Sequence, residues 1–332
     1  MVDRRVFVGS LSAPFLLRGA SAFAATESLT LYNGQHRATT EALVTAFTKA
    51  TGVKVVIRNA ESPELSSQIA EEGVRSPADL FFSEQSPPIA ALQEKGLLTP
   101  IDPQTLNTVP AAYAAKDGTW LGATIRTRVI TYNKAMVKPD ALPKSILDFS
   151  TSALDGKFGY VKQDGFQEQV MAIAHIKGKE TALDWLKGLK KYGRSYNGNR
   201  IASTAVENGE VAMALSNNYY WYSLAKEKGA ENLKSALHSF MAGDPGNIIN
   251  VAAAGILKSS KKQELAQRFI AFMVSKPGQE AMVATTAEYP VLQGVLSAFP
   301  LPPLSGFDAP VTPADVGDAS QAYALERDAG LI

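Results

Sequence analysis

Three short apolar runs, each followed by a helical stretch and bounded by turn residues, constrain this chain more than any other feature. Ser28 to Tyr32 runs into the polar turn Asn33-Gly34-Gln35-His36. A helix is predicted over Thr39 to Lys49, with Leu43 and Phe47 on one face and Gly52 as its stop. Val53 to Ile57 is the next strand, and Ser62-Pro63-Glu64 starts a helix that runs to Gly73. Asp79 to Phe82 is strand again, ends in Ser83-Glu84-Gln85, and precedes a helix over Pro88 to Glu94 closed by Gly96. A βαβαβ run with short connections makes a parallel sheet flanked by helices, and ligands of such sheets sit at the carboxyl ends of the strands. That rule places His36 and Glu84 on neighbouring loops at one edge.

From Val129 the pattern restarts. Strands are predicted over Val129–Tyr132, Lys157–Val161, Val211–Leu215 and Asn250–Leu257. Helices are predicted over Gln167–Ile176, Thr181–Lys190, Ala202–Asn208 and Lys261–Val274, and the proline-rich stretch 298–312 reads as irregular. With 332 residues the chain is long enough for two compact units.

Composition removes several chemistries. There is no cysteine, which excludes disulfides, thiolate metal sites and a cysteine nucleophile, and three histidines argue against a multi-histidine metal site. A net charge of +1 excludes a broadly basic surface for nucleic acid. No Ser-His-Asp pattern, P-loop or Rossmann glycine fingerprint occurs, so an enzyme is not expected. Residues 1–24 read as an export signal: Arg4 and Arg5 form the basic start, a mostly apolar stretch follows to Leu17, and Ala22-Phe23-Ala24 is the cleavage pattern. The stretch is too short to span a membrane, which takes about 20 apolar residues. Twin arginines leave both twin-arginine and Sec export open. The mature chain is expected to be periplasmic.

Tyr219 and Tyr220 follow a strand and two asparagines. Adjacent side chains on a strand point to opposite faces, so the two phenols converge only if the backbone turns there, as at a helix start. For the pair alone aromatic packing is the better explanation, a lone histidine is usually structural, and Glu84 could cap a helix. The case lies in the combination: one imidazole, one carboxylate and two phenols, all on strand-end loops, two from each half. Hard trivalent cations prefer anionic oxygen. A phenol of ordinary pKa near 10 ionises beside a +3 charge. Two phenolates and a carboxylate match Fe³⁺ in charge, with neutral imidazole as a fourth donor; the set suits zinc and calcium poorly.

The stretches Leu31-Tyr32-Asn33-Gly34-Gln35-His36, 75–85 (Arg-Ser-Pro-Ala-Asp-Leu-Phe-Phe-Ser-Glu-Gln) and Asn217-Asn218-Tyr219-Tyr220-Trp221 resemble the periplasmic ferric-ion-binding proteins of bacterial iron ABC transporters. The likeness continues through 185–190 (Trp-Leu-Lys-Gly-Leu-Lys), 205–210 (Ala-Val-Glu-Asn-Gly-Glu) and Ala287-Glu288-Tyr289-Pro290. It covers essentially the whole mature chain. The resemblance implies an α/β, two-lobed periplasmic-binding-protein fold with a hinge and an interlobe cleft. It implies lobes of 25–129 with 250–300 and 130–249 with 301–332, joined by crossings near Thr127–Thr131 and Phe240–Asn250. It makes His36, Glu84, Tyr219 and Tyr220 the ligands of Fe³⁺, an inner-membrane ABC permease the partner, and a monomer the expected state.

In that family a small anion usually completes the metal's octahedron. Asn199 and Asn217 match positions that contact phosphate in some members. The opposite loop, Gln163-Asp164-Gly165-Phe166, departs from the small-residue loop of phosphate users: Asp164 would repel an anion if it pointed inward, while Gly165 offers a backbone N–H. Carbonate, citrate, phosphate and water therefore stay open. Arg126 or Arg128 could grip a carbonate bidentately, or make a surface or interlobe ion pair instead. Two other functions remain: a receptor of the same fold for a small organic ligand, and a mononuclear iron enzyme.

Overall fold

The computed structural model describes residues 28–163 and 165–332, so the export segment 1–24 and Asp164 lie outside the described residues. Among the described residues the strands are β1 (Ser28–Asn33), β2 (Lys54–Asn59), β3 (Leu80–Ser83), β4 (Leu98–Thr99), β5 (Trp120–Asn133), β6 (Phe158–Tyr160), β7 (Arg194–Ser195), β8 (Met213–Asn217), β9 (Ser235–His238), β10 (Ile249–Leu257) and β11 (Tyr289–Pro290). Neighbouring strands run β2-β1-β3-β10-β5-β8-β6-β7. β1 pairs in parallel with β2 and β3, which is the predicted βαβαβ unit. The next strand, β10, pairs antiparallel with β3. β1 and β3 are therefore adjacent strands inside the sheet, and the His36 and Glu84 loops that follow them neighbour each other at its carboxyl-end edge, as the rule predicts.

β5 is the element the sequence hid. Only Val129–Tyr132 reads as strand, yet a single strand covers Trp120–Asn133 with every residue buried. Alternation marks a strand with one solvated face; a strand covered on both faces loses that mark, and Gly122, Arg126 and Arg128 obscure it further. Its first half pairs with β10 through Thr127↔Ile249 and Arg126↔Asn250. Its second half pairs with β8 through Arg128↔Asn217 and with β9 through Ile130↔His238. That pairing also explains why the strand predicted over Val211–Leu215 sits two residues later, at Met213–Asn217: polar Ser216 and Asn217 complete the ladder opposite Val129 and Arg128.

Burial separates into two main clusters. One gathers Leu29, Phe47, Phe81, Trp120, Val251 and Phe269; the other gathers Phe149, Phe158, Phe166, Trp185 and Leu215 with Ala322 and Leu325 from helix Ser320–Asp328. That helix, like Lys276–Val283, goes unread in the sequence. Helix Lys179–Tyr192 anchors the second cluster by burying Trp185, whose indole N–H donates to the Ile146 carbonyl at 2.9 Å. Trp185→Ala removes the ring and leaves that carbonyl without its donor, so urea unfolding should show a loss of about 3–5 kcal/mol.

Candidate metal centre

The loop after β1 is tight. Gly34 N–H donates to the Phe82 carbonyl at 2.8 Å, and a Cβ on Gly34 would stand 2.1 Å from Ser62 Oγ. Only glycine lets the two loops approach this closely. Asn33 then locks the turn: its amide donates to the Gln35 carbonyl and to Asn59 Oδ1, both at 2.8 Å, while its Oδ1 accepts from Thr40 Oγ1 at 2.7 Å. Gln35 Oε1 accepts the His36 N–H at 2.7 Å, which sets His36 at the start of helix Arg37–Thr51. Glu84 leaves the end of β3 with its N–H donating to Ser62 Oγ at 2.9 Å. Ser62 thus sits against both loops.

From the other half, β8 ends at Asn217 and helix Asn218–Lys228 begins at once. This is the backbone turn that two convergent tyrosines require: the Tyr219 and Tyr220 rings lie 4.2 Å apart, centroid to centroid. Asn218 pins the helix start, accepting from Thr127 N–H at 3.0 Å and donating to the Ala287 carbonyl at 3.1 Å. Tyr219 is buried, its hydroxyl donates to Glu84 Oε1 at 3.3 Å, and its ring meets the His36 ring edge-on at 5.1 Å. Three of the four residues singled out from sequence are therefore in mutual contact, and the Tyr220 ring packs against that of Tyr219 at a 38° tilt. A recess of about 200 Å³ opens beside them, lined by Gln35, His36, Asn59 and Glu84 among others.

Two more groups share the cluster. Arg126 is fully buried with its Nη2 4.0 Å from Glu84 Oε1 and its Nη1 4.0 Å from Glu288 Oε1, so it forms no surface ion pair. Burial pulls the guanidinium pKa down, but the field of Glu84, Tyr219, Glu288 and Glu168 outweighs it and raises it above the usual value. Glu288 is fully buried, and its Oε1 stands 3.8 Å from His36 Nε2. Its stretch is quoted above for resemblance, yet no spacing signal gives its side chain a role. Glu168, on helix Phe166–Lys177, accepts from Ser86 Oγ at 3.2 Å and from Asn250 Nδ2 at 2.5 Å, and burial pushes its carboxyl pKa up.

Of the anion candidates, Gly165 N–H is engaged by Gln85 Oε1 at 3.0 Å. Arg128, also buried, donates to Asn217 Oδ1 at 3.2 Å, and Asn217 Nδ2 donates to the Tyr219 hydroxyl at 3.5 Å. Asn199 is buried at the first position of helix Asn199–Asn208. Histidine and carboxylates alone make no metal cage among the described residues. Adding phenol oxygens produces a donor set of one imidazole, carboxylate and phenol in contact, which is chemistry for a hard, highly charged cation.

A fold of this kind, with a polar cluster fed by loops from both halves of a shared-strand sheet, defines a solute-binding protein. The chain belongs to the bacterial extracellular solute-binding protein family, whose description matches residues 42–302. It is 43% identical over 330 residues to the major ferric iron-binding protein of Neisseria meningitidis serogroup A, covering 96% of this chain and 99% of that one. It is 35% identical to the Fe(3+)-binding periplasmic protein of Serratia marcescens, covering 97% of this chain and 96% of the relative. The crystal structure of iron-bound HitA from Pseudomonas aeruginosa superposes with a TM-score of 0.88 at 49% identity, over 92% of this chain and 99% of that one.

Proposed function

We propose that this chain captures ferric iron in the periplasm and delivers it to the permease of an ABC transporter, as a binding protein and not an enzyme. The observation that carries the reading is the contact of Tyr219 with both Glu84 and His36, groups brought together from opposite halves of the chain. His36, Glu84, Tyr219 and Tyr220 are the proposed ligands. The proposed lobes are 25–129 with 250–300 and 130–249 with 301–332; the two apolar clusters support this division, except that Leu304, Phe307, Ala309 and Ala314 pack on the first cluster. Tyr219 and Tyr220 then hold iron first, and closure brings His36 and Glu84 onto it. Closure is driven only by the metal's greater affinity for the shut state.

A small anion (carbonate, citrate or phosphate) is the proposed accessory, with Asn199, Asn217, Gly165, Arg126 and Arg128 as its candidate contacts. Segment 1–24 is the proposed export signal, read by the twin-arginine or Sec route. Among the described residues no helix is long and apolar enough to cross a membrane.

Titrating the apo protein with ferric iron should yield a coloured complex with a visible phenolate-to-iron charge-transfer band. A colourless protein that ignores iron would instead indicate an organic solute. Reducing the loaded protein with dithionite beside a ferrous chelator should bleach the band and release the metal, because two phenolates match Fe²⁺ poorly in charge.

A further inference from the structure

A cavity of about 580 Å³ lies behind the metal centre, on the other face of β5. Adjacent side chains of a strand point to opposite faces. Arg126 and Arg128 point to the metal side, near Glu84 and Asn217, whereas Thr127 and Val129 line the cavity. Helix Asn218–Lys228 divides in the same way. Tyr219 meets His36 and Glu84, while Trp221 and Tyr222 wall the cavity together with Tyr289 and Phe307. Trp221 and Tyr222 also line a second, adjoining cavity of about 510 Å³, to which Lys226 and Phe299 contribute. Both volumes fall in the range of small-molecule sites, about 300–1,000 Å³.

The chemistry of the walls selects the occupant. Aromatic faces take a flat ring. Trp221 Nε1 is buried and has no hydrogen-bond partner, so it is a donor in want of an acceptor. Among the described residues no carboxylate lines either cavity. Burial raises the Tyr222 phenol and pushes Tyr289 up to about 12, so neither is anionic at neutral pH. Burial lowers the His238 imidazole, which is therefore neutral there as well. The charge that remains is Lys226, whose ammonium stands 5.4 Å from the centroid of the Phe299 ring. We propose that the paired cavities are a second ligand site, one for a planar aromatic carboxylate. Its ring lies among Trp221, Tyr222 and Phe307, and its carboxylate accepts from the indole N–H on the side of Lys226. A cation would meet no counter-charge in these walls, and an uncharged ring would leave the ammonium unanswered. The site goes beyond the ferric reading and needs no metal, since β5 separates it from the proposed ligands.

Isothermal calorimetry of the metal-free protein with 2-naphthoate, 2-naphthylmethanol and 2-naphthylmethylamine tests the proposal. 2-Naphthoate should bind once per chain, about tenfold or more tighter than either of the others, the size of a hydrogen bond to a charged acceptor. Trp221→Phe keeps an aromatic ring and removes the N–H, and should weaken 2-naphthoate about tenfold. Lys226→Gln should weaken it about threefold, as expected of a partly exposed ion pair. Tyr219→Phe with Tyr220→Phe should leave it unchanged. Loss of binding in that tyrosine pair would place 2-naphthoate in the metal centre and overturn the proposal. Equal affinities for the three probes, or Trp221→Phe with wild-type affinity, overturn it too. A wild-type protein that ignores 2-naphthoate also overturns it, and a dimer by light scattering would then make a second copy the cover of these walls. If Trp221→Phe fails to fold by circular dichroism, Lys226→Gln and the three probes still decide.

Discussion

Replacing Tyr219 and Tyr220 together by phenylalanine should abolish the visible band and lower ferric affinity by about 10⁴-fold. Outer groups of metal sites are worth about 10- to 100-fold each, and a charged direct ligand is worth no less than the upper figure, so two compound to that size. The change is nearly isosteric, and each ring keeps its packing, Tyr219 against His36 and Tyr220 against Tyr219. Tyr219→Phe also removes the donor to Glu84 Oε1 and the acceptor for Asn217 Nδ2, so the two single variants should differ. Losing the Glu84 contact removes one hydrogen bond to a charged acceptor, worth about 1.5–3 kcal/mol. Isothermal competition with a chelator measures the affinity, and absorbance follows the band. A double variant that keeps wild-type affinity would show the phenols to be packing residues and remove the basis of the ferric reading.

What the sequence made legible follows from which contacts are local. The helix after β1, its stop at Gly52 and the parallel pairing of β1, β2 and β3 rest on periodicity and turn residues within about 60 positions, and these read correctly. Convergence of Tyr219 and Tyr220 requires a helix start, and the helix Asn218–Lys228 supplies it. β5 did not read, because both its faces are covered and its ladder partners β8, β9, β10 and β11 are all distant in sequence. Glu288 and Arg126 are invisible for a related reason. A glutamate before Tyr289-Pro290 has no periodic mark, and its role exists only where β11 lies against β5 at Thr124 and Ile125, beside Arg126. The arginines looked like surface or interlobe charges because burial of a guanidinium cannot be read without the groups that surround it. Asp164 is outside the described residues, so its expected repulsion of an anion has no structural counterpart.

The complementary variant, His36→Ala with Glu84→Ala, should behave differently from the tyrosine pair although its affinity loss is of the same order, about 10²- to 10⁴-fold. It removes the donors on the β1 and β3 loops and leaves both phenols on helix Asn218–Lys228. Phenolate-to-iron charge transfer belongs to the phenols, so the complex should stay coloured with its band displaced. Closure should fail, because iron then has no differential affinity for the shut state, and a state favoured by nothing does not gain population. Small-angle scattering of the iron-loaded variant should therefore report a larger radius of gyration than the loaded wild type. Removing Glu84 also takes one of the carboxylates whose field holds the buried Arg126, leaving Glu288, with its Oε1 at 4.0 Å, and Glu168 as counter-charges. The apo protein should accordingly lose stability, which a thermal melt without metal separates from the loss of iron. A variant that is colourless at iron concentrations far above its dissociation constant would mean that the phenols cannot hold the ion alone. The order of capture, with Tyr219 and Tyr220 first and His36 and Glu84 on closure, would then have to be reversed.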